Sequence, residues 1–96
     1  MKMNRPLFEP GDIVQHFKRE TIKEPHDNAY LYEVIGYAKH IKTEEGLMVY
    51  KSISSGTLYA EPAKMFYSEV DRRKNTERTQ KYRFEKYHGV LYTDGL

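Results

Sequence analysis

Residues 30–52, "YLYEVIGYAKHIKTEEGLMVYKS", decide how this chain is read. Tyr30, Tyr32, Val34, Gly36, Ala38 and His40 fall on one side of an extended strand, and Leu31, Glu33, Ile35, Tyr37, Lys39 and Ile41 on the other. That is the two-residue period of a β-strand. "KTEEG" at 42–46 reads as a turn with Gly46 in the left-handed region, and "LMVYKSI" at 47–53 as the returning strand. Pairing Ile41 with Leu47 keeps apolar residues opposed and sets His40 against Met48, Ala38 against Tyr50 and Ile35 against Ile53. Gly36 weakens a strand interior unless the chain bends or a neighbour approaches, so the strand is expected to curl there. In this register His40 is a packing residue beside Ala38, Met48 and Tyr50, donating to a backbone carbonyl or a tyrosine hydroxyl.

Upstream, in "LFEPGDIVQHF", Pro10 and Gly11 suit the second and third positions of a type II turn, the third requiring positive φ. Residues 12–17 follow as a first strand. The polar "KRETIKEPHDN", broken by Pro25 and holding the turn formers Asp27 and Asn28, reads as a long loop. Downstream come a tight turn at "SSGT", a short strand at "LYAEP" and a single helical turn at "PAKMF", where Pro62 fits a first helical position. "YSEV" and "KYRFEKY" read as a last pair of strands joined by the charged loop "DRRKNTERTQ". The tail "HGVLYTDGL" adds an edge strand or lies across the fold.

A length of 96 residues suits one domain, 1–96, with a modest core. Nine tyrosines within an aromatic content of 14% favour strands over helices. Without cysteine there is no disulfide framework and no thiolate zinc site. A small unstapled domain then relies on burial, a metal held through other ligands, or association, and the last makes a homo-oligomer an expected state. The N-terminus lacks the apolar run of a secretory signal and no apolar stretch is long enough to span a bilayer, so a cytoplasmic location without a membrane partner is expected.

"HFK" at 16–18, "YEVIGYAKHIKTEEGLMVY" at 32–50, "LYAEPAKMF" at 58–66 and "YRFE" at 82–85 occur in an order that resembles the bacterial domain-of-unknown-function family 1653. The resemblance covers residues 11–85 and leaves 86–96 as a C-terminal extension. It implies a mainly β fold: a small SH3-like β-barrel with a long first loop, a long central hairpin and one short helical turn. It carries no established reaction. Where the family usually has a tryptophan and then an arginine before the proline, this chain has Tyr59 and Glu61, so a cationic contact at the second position is lost or reversed.

For chemistry, His40 is the first candidate as general base or ligand, but no carboxylate shares its face of either strand; catalysis would need Asp12 or Glu61 to approach it. His16, His26, His40 and His88 share no ligand spacing on one element. Ser52, Ser54 and Ser55 lack a nucleophile elbow, and Glu44 with Glu45 reads as a solvated hairpin tip. No catalytic, cofactor-binding or metal-binding residue is assigned, no cofactor is implied, and a non-enzyme is expected.

Binding has better material. Residues 72–88 hold seven Lys/Arg and two Glu, a local +5 in a chain of net +2. Tyr82, Phe84 and Tyr87 interleave there with Lys81, Arg83 and Lys86, as in single-strand binders, although a half-buried strand has the same pattern. The candidate surface is His40, Tyr50, Tyr59 and Glu61, together with Arg72, Arg73, Lys74, Lys81, Tyr82 and Arg83. The expected role is a non-catalytic interaction module with a protein partner or a second copy. The alternatives are a nucleic-acid-binding module using 72–88 and a small-molecule or nucleotide binder at a subunit interface.

Overall fold

Gly11 adopts a φ of 93° and the Asp12 N–H donates to the Glu9 carbonyl at 3.0 Å, so the turn at Pro10 forms as expected. It is clamped to the next strand, because the Gly11 N–H donates to Val34 O and the Val34 N–H to Asp12 O, each at 2.8 Å. The computed structural model describes residues 7–93. It shows β1 (Ile13–His16), a 3-10 helix (Phe17–Thr21), β2 (Leu31–Lys39), β3 (Gly46–Ser52), β4 (Leu58–Pro62), α1 (Ala63–Phe66) and β5 (Phe84–Lys86). The five strands form one antiparallel sheet in the order β4-β3-β2-β1-β5, so the protein is mainly β with one short helical turn.

The sheet does not close into the expected barrel. β4 and β5 are its two ends, and side chains bridge them where a ladder would have to run. Phe66 of α1 stacks on Phe84 of β5 with centroids 4.2 Å apart, and Arg83 reaches Glu61 of β4 at 3.5 Å. The expected last strand pair is reduced to the single bridge Glu69↔Tyr82, because residues 84–86 pair with β1 instead. In the tail no strand forms among the described residues. Tyr92 instead exchanges two hydrogen bonds with Asn28, at 2.7 and 2.8 Å, while residues 94–96 lie outside the described residues.

The central hairpin departs from the expected register. Val34 faces Tyr50, but Gly36 then faces Val49, Tyr37 faces Met48, Ala38 faces Leu47 and Lys39 faces Gly46. Ile35 is an unpaired bulge residue beside Gly36, the position marked for a bend. Opposed residues share a face, so Tyr37 joins Val34 and Met48 on the core side while Ala38 turns outward. The turn lengthens to residues 40–45, and neither the Ile41–Leu47 nor the His40–Met48 pair forms. Gly46 lies in β3, not in the left-handed region, which falls to Glu44 at φ 60°. A Cβ at residue 46 would meet the end of the Tyr37 ring, so the exposed tyrosine would have to shift.

On the core side, Val14, Val34, Met48, Phe66, Tyr67 and Phe84 are buried, with Phe8, Tyr32, Tyr50 and Ala63 packed against them. Phe8 stacks on Tyr67 at 5.5 Å, so the segment before β1 helps α1 to cover the sheet.

The segment expected as a loop over 18–28 begins instead as the 3-10 helix Phe17–Thr21, and the loop that follows is held from inside. Arg19 is only 5% exposed and donates to the carbonyls of Ala29 at 2.6 Å and Asp27 at 3.0 Å. Its guanidinium also lies 5.6 Å from the Tyr87 ring centre. Truncating it leaves two carbonyls without a donor, and the fork cannot be copied by an ammonium. Arg19→Met is expected to lower unfolding free energy by about 2–3 kcal/mol in urea melts, with Arg19→Lys recovering less than half of the loss.

Candidate functional site

The uncovered part of the core face forms a concavity. β2 and β3 run past the cover provided by Phe8 and Tyr67, and the bulge turns Tyr37 toward the same side. The result is a groove of about 730 Å³ floored by Val34, Gly36 and Met48. Leu7, Phe8 and Pro10 line it from the segment before β1, and Ala63, Lys64 and Tyr67 from α1 and the residue after it. Tyr37, Glu45 and Gly46 complete it at the hairpin end. Its lining is apolar apart from Glu45 and Lys64, the composition of a site that takes an apolar group and orients it with few charges. None of this was legible in the sequence except the bend at Gly36, because the groove depends on which side Tyr37 takes.

Of the sequence-derived surface, the structure unites Tyr50, Tyr59, Glu61 and Arg83. Tyr50 and Tyr59 stack at 5.6 Å, and the Tyr50 hydroxyl donates to Glu61 Oε1 at 3.1 Å. Arg83 Nη1 donates to Glu61 Oε2 at 3.5 Å and to Met65 O at 2.9 Å. Burial and the Glu61 carboxylate push the Tyr50 hydroxyl well above the usual tyrosine range. Tyr32 meets both Tyr50 and Tyr59 edge-on. This cluster knits β2, β3, β4 and the approach to β5 together.

The basic segment is largely engaged with itself. Arg72 donates to the carbonyls of Arg78 and Gln80, and Arg73 pairs with Asp71 at 3.3 Å. Lys74 is exposed, and the Lys81 ammonium lies 5.4 Å from the Tyr82 ring centre. The far end of the loop is tied to the 3-10 helix by Glu20, whose carboxylate accepts from the backbone N–H groups of Thr79 and Gln80 and from the Thr79 hydroxyl. Gln80, which is buried, donates to the Gln15 carbonyl at 2.9 Å.

His40 is exposed, contrary to the packing role expected of it. The bulge reverses the facing of β2, and His40 falls just beyond the strand. Its Nδ1 accepts from the N–H groups of Lys42 and Thr43 at 3.2 Å each, and its carbonyl accepts from Glu44 N–H at 2.9 Å. It organises the hairpin loop as a capping side chain does. Asp12 and Glu61 are held elsewhere, Asp12 by the Glu9 N–H and Lys86, Glu61 by Tyr50 and Arg83. His40→Ala is expected to cost about 0.5–1 kcal/mol in thermal unfolding, whereas His40→Asn, which keeps an acceptor, costs less than half of that.

His16 is the histidine with an unusual setting, and only its place in β1 hinted at it. Its ring stacks on Phe17 at 4.4 Å and meets Phe84 edge-on at 5.0 Å, while Nδ1 accepts from Lys18 N–H at 3.1 Å. Burial, then the charges of Arg83 and Lys18, lower its pKa from 6.5 to about 4. The folded protein therefore holds it neutral while the unfolded chain protonates it below 6.5. The associated stability is complete above pH 6.5 and is lost as pH falls toward 4. Discounted for partial exposure, the loss is on the order of 1–2 kcal/mol. In urea melts from pH 7 down to pH 4, wild type should lose that much more stability than His16→Asn, which cannot titrate; parallel losses would contradict the assignment.

Among the described residues no cluster of three or more His, Asp or Glu side chains is placed to hold a metal ion, and no helix is long and apolar enough to cross a membrane. A family model described as "Protein of unknown function (DUF1653)" matches residues 12–86, and the chain belongs to that family. No curated protein and no solved structure matches the chain.

Proposed function

We propose that this protein is a non-catalytic interaction module that receives an apolar side chain of a protein partner in the groove between the segment before β1, the central hairpin and α1. The observation that supports it most is the continuation of the core face beyond its own cover, leaving Leu7 61% and Tyr37 67% exposed around a floor of Val34 and Met48. Apolar surface left open in a concavity is stabilised when a partner removes it from water. A cytoplasmic setting, in keeping with a cysteine-free chain, is part of the same proposal.

Nucleic-acid binding is the second reading, favoured by Lys81 over Tyr82 and by an exposed Lys74 in the same segment. It is weakened by the arginines, since Arg72, Arg73 and Arg83 already donate within the chain. Amide chemical-shift titration with a terminally blocked leucine peptide, and separately with a single-stranded oligothymidylate, distinguishes the two. The groove reading expects peptide shifts at Gly36, Met48 and Lys64 that persist at high salt. Shifts confined to Lys74, Lys81 and Tyr82 on adding the oligonucleotide, abolished by salt, would replace it with the second reading.

A further inference from the structure

Ile41, at the tip of the β2–β3 hairpin, is 92% exposed. A bare aliphatic side chain at a loop tip has no packing reason of its own, and this loop is not a loose one. His40 Nδ1 fixes the Lys42 and Thr43 amides, the His40 N–H donates to Glu45 O at 2.8 Å, and the Glu45 N–H donates to Thr43 Oγ1 at 3.2 Å. The hydrogen bonds hold Ile41 in one place at little further entropic cost to a binding event, as a preorganised anchor requires.

The groove reaches the loop end of this same hairpin, with Tyr37, Glu45 and Gly46 in its lining. Ile41 does not enter its own groove, since it is almost wholly exposed. We infer that the groove's occupant is a second copy of this chain, each copy inserting the Ile41 of its hairpin tip into the groove of the other. An anchor and its receptor carried by the same hairpin are an arrangement that a two-fold, isologous contact can use.

Charge supports the same occupant. Lys42 flanks the anchor and Glu45 lines the groove, and neither takes part in an ion pair among the described residues. Two-fold exchange brings Lys42 of one copy toward Glu45 of the other, twice per dimer. The groove volume of about 730 Å³ is several times that of one aliphatic side chain, so it admits the tip as well as the isoleucine. The assignment rests on the groove being a binding site and names its partner.

Sedimentation velocity of the full chain over a wide concentration range tests it. The expected result is a concentration-dependent shift from one to two chain masses. Ile41→Asp, at a side chain with almost no contacts to lose, should leave the fold intact and weaken association at least tenfold. Lys42→Glu and Glu45→Lys should each weaken it severalfold, and the double variant, which restores opposite charges across the contact, should recover most of the loss. A monomer at all concentrations, or a dimer indifferent to Ile41→Asp, would overturn the inference. If the wild type is monomeric yet still shows the leucine-peptide shifts in the groove, only the self-partner is wrong; if it shows neither, the groove reading fails with it.

Discussion

Strand β2 carries one residue more than its partner between Val34 and Gly36, and the alternation of a β-strand turns that single insertion into a reversal of everything that follows. Before Ile35, Tyr32 and Val34 face the core; after it, Tyr37 takes that side and Ala38 leaves it. The bulge moves a tyrosine onto the open end of the core face and releases His40 into the loop. The groove and the shape of the hairpin tip both follow from it.

The rest of the fold is organised to tolerate an open sheet. A closed ladder would satisfy the strands at both ends, but here β5 is three residues long and the distance to β4 is spanned by the Phe66–Phe84 stack and the Glu61–Arg83 pair. Aromatic stacking holds the ends without demanding ladder geometry. The long connections are then fixed by polar side chains. Arg19 holds the first loop through its carbonyls, while Glu20 and Gln80 tie the charged loop to the 3-10 helix and β1. These are hydrogen bonds whose value lies mainly in the cost of leaving the carbonyls and amides unpaired.

This economy bears on function. The residues that looked most suited to bind a partner, Tyr50, Tyr59 and Arg83 around Glu61, are largely occupied in joining strands. The surface left over is apolar and concave, and lies where strands outrun the segments that cover them. In a chain of 96 residues the same aromatic side chains can hardly serve both closure and recognition.

The sequence by itself determined the local decisions. The Pro10–Gly11 turn, a strand on each side of the hairpin loop though not their inner ends, the short strand at 58–62, the helical turn after Pro62 and the family membership were legible, because φ preferences, alternation and motif order act over a few residues. Tertiary structure decided the facing of Tyr37 and His40, the burial of Arg19 and His16, and the failure of the sheet to close. A bulge exists only relative to a partner strand, and desolvation only relative to what packs above a side chain. Neither is written in the spacing of one strand, so both waited on the fold.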